Sequence, residues 1–157
     1  MSRPASSRLE AAAPPPSGWF LCALYILATA PLVAGLILAC GLLTSSIPPE
    51  AMIDLEDDLT GYALNVVQFA AAVGVLQVVF LVLRARFRVR PRAREDEGIS
   101  FAPLGLALVA VLLAAGLLAA ARHLGIYTPQ PSLGVLMPYT LPYVVFGYQH
   151  LRSLRDP

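Results

Sequence analysis

The fold of this chain is decided first by residues 19–43, which read WFLCALYILATAPLVAGLILACGLL. The stretch holds 25 residues and no charged side chain. A transmembrane helix needs about 20 consecutive apolar residues, whereas a cleaved signal peptide has an apolar core of about 7–15 residues. Trp19, Phe20 and Tyr25 lie where aromatic side chains collect at a membrane surface. The stretch therefore predicts a first membrane-spanning helix.

Three further apolar stretches follow the first, and each predicts another span. The chain is therefore predicted to be all-α, an integral membrane bundle of four transmembrane helices. The predicted spans are residues 19–43, 62–83, 101–121 and 133–148. They form one membrane domain at 19–151, between a flexible N-terminal tail at 1–18 and a C-terminal tail at 152–157.

The composition agrees with a lipid environment. Of 157 residues, 57% are hydrophobic and only 13% are charged, whereas a soluble domain carries about 25% charged residues. The net charge of +1 gives no overall basic field for binding nucleic acid. All basic residues are arginine, and alanine, leucine and proline are abundant, which is typical of a GC-rich bacterial genome. We therefore expect a bacterial cytoplasmic membrane protein.

The distribution of arginine predicts the orientation. The N-terminal tail carries two arginines, the loop after the second span six and the C-terminal tail two, while the other two loops carry only Arg122. Because arginine and lysine are enriched in short cytoplasmic loops, both termini and the middle loop are predicted to be cytoplasmic.

The first loop predicts a short amphipathic helix outside the cytoplasm. Pro48 and Pro49 are suited to a helix start. The apolar face of this helix would carry Met52, Leu55 and Leu59, and its acidic face would carry Glu50, Asp54, Asp57 and Asp58. A calcium-type cation takes about six to eight oxygen ligands, more than one straight helix converges, so no metal site is predicted.

The loop after the second span contains six arginines that alternate with other residues: Arg84, Arg86, Arg88, Arg90, Arg92 and Arg94. In an extended strand this period of two places all six on one side. The run is predicted to contact anionic lipid headgroups, each arginine contributing about 1 kcal/mol near such a surface. A docking strand for a cytoplasmic partner is the alternative; nucleic-acid binding is not expected.

The fourth span differs from the other three, because Pro138 and Pro142 each remove a helix hydrogen bond. Tyr139, Tyr143 and Phe146 follow at positions i, i+4 and i+7 on one face. These five residues predict a kinked helix that lines a groove for a lipid, a quinone or a partner helix.

Two amides of the second span, Asn65 and Gln68, are neighbours on a helix. Amides within a membrane usually form hydrogen bonds between helices, so we expect this pair to make intramembrane polar contacts. Three pairs of small residues at a spacing of four favour close helix packing as well: Ala70 with Gly74, Ala110 with Ala114, and Ala115 with Ala119.

The sequence offers little chemistry for catalysis. No ionisable acidic or basic residue lies within the four predicted spans, although such residues mark most ion-coupled transport. Cys22 and Cys40 are about 27 Å apart on a helix, too far for a disulfide. His123 and His150 follow opposite ends of the bundle, about 30 Å apart, and cannot share one haem iron. No catalytic residue and no cofactor is predicted.

These features together favour a non-enzymatic accessory or assembly subunit of a larger membrane complex, whose partners are lipids and other membrane subunits or further copies of itself. The first alternative is a small oligomeric channel or facilitator with the proline-kinked fourth span lining the path. The second is a lipid-active membrane enzyme that uses groups at the membrane interfaces.

Overall fold

The computed structural model describes residues 16–46, 59–89, 100–126 and 133–156. For residues 59–61 and 133–135 it describes the backbone only. Within these residues every regular element is a helix. The first three helices are α1 (Gly18–Ser45), α2 (Leu59–Phe87) and α3 (Ala102–His123). The fourth helical region consists of α4 (Leu133–Pro142), a π-helical turn (Tyr143–Gly147) and α5 (Tyr148–Arg155). The all-helical prediction is confirmed for the described chain. The amphipathic helix predicted from the first loop and residues 1–15 of the N-terminal tail lie outside it.

Helix α1 begins and ends with hydroxyl side chains. The Ser17 Oγ accepts a hydrogen bond from the Phe20 amide at 3.3 Å, which satisfies one of the free amides of the first turn. At the other end, the hydroxyls of Thr44, Ser45 and Ser46 donate to carbonyls of the preceding turn. These bonds replace partners that the last turn of a helix lacks.

Helix α2 continues through the first arginines of the alternating run, so the predicted extended strand is wrong for Arg84 and Arg86. The helix ends where Arg88 adopts a positive φ of 52° and the Val89 amide donates to the Arg84 carbonyl at 3.1 Å, a common helix C-terminal motif. On a helix of 3.6 residues per turn, Arg84 and Arg86 point to nearly opposite sides. Arg90, Arg92 and Arg94 lie outside the described residues.

The fourth helical region is continuous, and it is longer than the predicted fourth span. Pro142 is followed directly by the π-helical turn, which accommodates a residue that cannot donate the regular hydrogen bond. The α-helix is therefore uninterrupted at Pro138, and the wider π-helical turn begins directly after Pro142. Helix α5 then continues to Arg155 and buries Leu151 and Leu154, and Leu154 lies within residues 152–157, the stretch expected to be a tail.

The helices pack around two central elements, α1 and the fourth region. Helix α1 contacts α2 on one side and α3 on the other, while α4 packs on α2 and α5 packs between α1 and α3. Alanines make the α1–α3 contact close, since Ala30, Ala34, Ala107, Ala110 and Ala114 are all buried.

One end of the molecule gathers four chain segments, and we call it the arginine-rich end. There the rings of Phe20 of α1 and Phe87 of α2 meet edge to face, with their centroids 6.4 Å apart. Arg155 of α5 donates a hydrogen bond to the Ser100 hydroxyl at 2.6 Å. A Cβ added to Gly18 would overlap the Arg155 carbonyl, so only glycine permits this crossing of α1 and α5. The start of α1, the end of α2, the start of α3 and the end of α5 therefore lie together.

Three helices are long and apolar enough to cross a membrane: Gly18–Ser45, Tyr62–Phe87 and Ala102–His123. They indicate a membrane-spanning protein.

Candidate functional site: the polar cluster around His150

The most unusual feature of the described chain is a buried histidine between three helices. His150 lies on α5 and is 7% exposed, and Tyr25 of α1 is fully buried beside it. Gln77 and Phe80 of α2 complete the group, which we call the His150 cluster. Helix α5 brings His150 inward because it is amphipathic: its buried face carries His150, Leu151 and Leu154, whereas Gln149 is exposed.

Both ring nitrogens of His150 have partners. The Tyr25 hydroxyl lies 2.9 Å from Nδ1, and the Gln77 Oε1 lies 2.9 Å from Nε2. A carbonyl oxygen only accepts hydrogen bonds, so Nε2 donates to Gln77. With the ring neutral, Nδ1 then accepts from the Tyr25 hydroxyl. Each bond joins α5 to a different helix.

Two aromatic rings hold the imidazole plane. Phe80 stacks on His150 with ring centroids 4.3 Å apart and planes 4° from parallel. Tyr25 approaches the edge, with centroids 5.7 Å apart and planes at 81°. The orientation of the histidine ring is therefore fixed by packing as well as by hydrogen bonds.

Two further hydrogen bonds lie beside the cluster, one between α1 and α5 and one within α1. The Cys22 thiol donates to the Leu151 carbonyl at 3.4 Å, one turn of α1 before Tyr25. The Thr29 hydroxyl, one turn after it, donates to the Tyr25 carbonyl at 2.7 Å. Within the described chain the cluster is thus a closed interhelical link, and it leaves neither histidine nitrogen free to act as a base.

The predicted groove residues of the fourth region separate into two groups. Tyr139 and Tyr143 are buried and line a small cleft between α1, α3 and α4, together with Thr140 and apolar side chains. The cavity volume is about 30 Å³, enough for about two water molecules. The Tyr143 hydroxyl is buried near Thr29 and makes no hydrogen bond of good geometry with a described residue.

Phe146 lies elsewhere and packs on Phe69 of α2, with ring centroids 6.5 Å apart. The π-helical turn adds a residue to the helical repeat, so Phe146 is rotated away from the two tyrosines. Pro142 is buried and Pro138 is half-buried; neither is among the side chains that line the cleft.

The other predicted residues do not join the His150 cluster. Asn65 is exposed and Gln68 is half-buried, near the end of α2 remote from the arginine-rich end. Of the small-residue pairs, Ala110 and Ala114 are buried, whereas Ala70, Gly74, Ala115 and Ala119 are exposed. Among the described residues, no group of three or more histidine, cysteine or acidic side chains could hold a metal ion.

The sequence prediction missed this cluster because it considered each span separately. Tyr25 lies 7 residues from the start of α1, Gln77 lies 10 from the end of α2 and His150 lies 5 from the end of α5. An up-and-down arrangement therefore places all three within about 15 Å of one end at 1.5 Å per residue. The signal available in the sequence was that polar residues of the first, second and fourth helical regions lie at similar distances from the same end of the bundle.

Comparison with known proteins gives no relative: no family model, no curated protein and no solved structure is significantly similar to the chain.

Proposed function

We propose that this protein is a non-enzymatic accessory or assembly subunit of a larger membrane complex. In this proposal the fourth helical region also crosses the membrane, and the arginine-rich end faces the cytoplasm of a bacterial cell. The arginine count of the loops supports that orientation. The gathering of alternate helix ends at one end of the molecule agrees with an up-and-down path of the chain.

Both ring nitrogens of His150 are occupied by hydrogen bonds to other helices, which supports a role other than catalysis. Its hydrogen bonds hold helices together, and hydrogen bonds of this kind contribute about 0.6–2 kcal/mol each within a membrane. The one cleft described above is small and mostly apolar. Neither feature presents a reactive group beside a space for a substrate.

The observation that carries the proposal is the outer surface of α2. Only 22% of the most apolar part of this helix is buried inside the chain, the lowest value of the three long helices. Ala63, Ala70 and Gly74 are exposed along one face, beside Val67 and Val78. An added Cβ at Gly74 meets nothing within 4 Å.

Small residues matter on such a face because membrane helices gain little from the hydrophobic effect when they associate. Close backbone approach and van der Waals packing must hold them together, and glycine or alanine permits that approach. The α2 face is therefore suited to a helix of another membrane protein.

Substitution of Gly74 tests this proposal. Because the space beside Gly74 is open, Gly74→Leu should leave the thermal stability of the isolated chain unchanged. In protein purified from its native membrane in mild detergent, we expect the unmodified chain to elute with a second membrane protein in fixed stoichiometry. Gly74→Leu should reduce the recovered partner at least tenfold.

Gly116→Leu is the matched control, since Gly116 of α3 is also exposed and equally open. It should retain the partner. A chain that elutes alone, or two variants that behave alike, would overturn the role of this face.

A facilitator is the second candidate, and the cleft with Tyr139 and Tyr143 is the observation that favours it. Solute flux into liposomes that contain only this protein separates the two functions. The subunit proposal predicts no flux above that of empty liposomes. Flux that Tyr143→Phe changes would instead establish the facilitator.

A further inference from the structure

Three side chains lie in a row along one flank of α2, and each is nearer to the arginine-rich end than the one before: Gln77, Phe80 and Arg84. Their spacing of three and four residues places them one above another on a helix. Gln77 and Arg84 differ by seven residues, which corresponds to about 20° of rotation and about 10 Å of rise. Phe80 lies between them and is fixed against His150.

The Gln77 amide is oriented by the His150 cluster. Its Oε1 accepts from His150 at 2.9 Å, and the side chain remains exposed on the outer surface of the helix. The amide nitrogen carries two donors, and within the described residues it makes no hydrogen bond. A donor that faces lipid needs an acceptor from its surroundings, because an unsatisfied polar group in an apolar medium is costly.

Arg84 supplies a positive charge on the same flank. It is half-buried, and its guanidinium has no hydrogen bond or ion pair with the described residues. A guanidinium binds phosphate through two parallel hydrogen bonds, and this geometry makes arginine the preferred phosphate ligand.

The two groups match the two parts of a phospholipid headgroup region. Phosphates and ester carbonyls occupy an interfacial layer about 5–8 Å thick on each side of the hydrocarbon. Long side chains reach toward this layer from within the membrane. Arg84 is thus positioned for the phosphate, and Gln77 for an ester carbonyl below it.

We propose that the Gln77–Arg84 flank of α2 binds one anionic phospholipid. Arg84 binds the phosphate, the Gln77 amide donates to an ester carbonyl, and the acyl chains extend along this flank of α2, beside the Gly74 face. This differs from a diffuse layer of anionic lipids around the whole arginine run, because it uses one arginine and a fixed amide. The inference does not depend on the accessory role.

Arg86 provides a matched control within the chain. It has the same charge and nearly the same depth as Arg84, but a separation of two residues turns it about 160° away. A purely electrostatic attraction would therefore respond equally to the loss of either arginine, whereas a defined site responds only to Arg84.

Native mass spectrometry of the full chain in mild detergent, with added phosphatidylglycerol or phosphatidylcholine, measures the effect. Arg84→Gln should weaken phosphatidylglycerol binding about fivefold, the effect of one arginine near an anionic surface, and remove the preference over phosphatidylcholine. Arg86→Gln should change the affinity less than twofold. Equal losses in the two variants, or no preference in the unmodified protein, would overturn the proposal.

The carbonyl contact has its own test, which needs no mutation. Replacing ester-linked phosphatidylglycerol by its ether-linked analogue removes the carbonyl acceptors and should weaken binding about fivefold, the value of a typical hydrogen bond. In Gln77→Leu the ester and ether lipids should bind equally. Equal binding of both lipids by the unmodified protein would contradict the assignment of Gln77.

Discussion

The two ends of α2 differ in how many of their side chains contact other helices. At the arginine-rich end, Gln77, Phe80 and Phe87 all contact other helices, through His150 and Phe20. Toward the opposite end, every side chain from residue 62 to residue 67 is exposed, and Tyr62 is 74% exposed. The same helix is thus held tightly at one end, whereas at the other end residues 62–67, which we call the free end, expose their side chains.

The difference teaches that a polar side chain stabilises a membrane bundle only where its partners lie at the same depth. Gln77 and Asn65 are both amides on α2, yet only Gln77 lies at the level of Tyr25 and His150. Stability should therefore be concentrated at the arginine-rich end, and substitutions there should cost far more than equivalent ones at the free end.

The largest loss is expected from His150→Leu. This change removes two interhelical hydrogen bonds and leaves the buried Tyr25 hydroxyl without its partner, so we expect about 3 kcal/mol of destabilisation. Reversible unfolding in mixed detergent micelles measures it. His123→Leu is the control, because His123 is exposed, and its stability should stay within about 0.5 kcal/mol of the unmodified protein. Equal losses of stability in His150→Leu and His123→Leu would contradict the structural role of the His150 cluster.

Gly18→Ala comes next, with an expected loss of about 2 kcal/mol, typical of overpacking. The added methyl group would overlap the Arg155 carbonyl and push α5 away from α1. Gly35→Ala lies on the same helix, where an added Cβ meets nothing within 4 Å, and it should unfold at the same temperature as the unmodified protein or slightly above. A Gly18→Ala protein as stable as Gly35→Ala would contradict the close crossing of α1 and α5.

Tyr25→Phe should cost about 1 kcal/mol, since the ring packing remains and only one interhelical hydrogen bond is lost. Tyr143→Phe removes the same group from the same kind of buried ring. The Tyr143 hydroxyl, however, is near Thr29 but makes no hydrogen bond of good geometry with a described residue, so this variant should be as stable as the unmodified protein or more stable. Thermal unfolding of the two variants side by side tests the distinction, and a reversed order would refute the assigned hydrogen bonds.

Much of the fold follows from hydropathy and charge alone. The stretch 19–43 predicted α1 nearly to its bounds, and the stretches 62–83 and 101–121 predicted α2 and α3. These signals are strong because a membrane span must be long, apolar and flanked by polar residues. The alternating arginines were interpreted wrongly at Arg84 and Arg86, because the side-chain period of a strand was applied to residues that continue a helix.

The His150 cluster could not be predicted from any one span, because its members are brought together only by the crossing of three helices. No local pattern distinguishes Gln77 within the second span, and His150 follows the predicted fourth span at 133–148. Phe146 shows a related limit. The π-helical turn after Pro142 changes the helical phase, and a regular period of 3.6 residues cannot anticipate this change.

The smallest expected effect is that of Asn65→Leu, and it tests the free end of α2 directly. Because Asn65 is exposed in the chain, its replacement should change the stability of the isolated protein by less than about 0.5 kcal/mol. Gln77→Leu on the same helix removes the hydrogen bond to His150 and should cost about 1 kcal/mol. Unfolding in micelles compares the two changes under identical conditions. If Asn65→Leu proved as costly as Gln77→Leu, the outer part of α2 would have a polar partner of its own, and the contrast between the two ends of the helix would have to be abandoned.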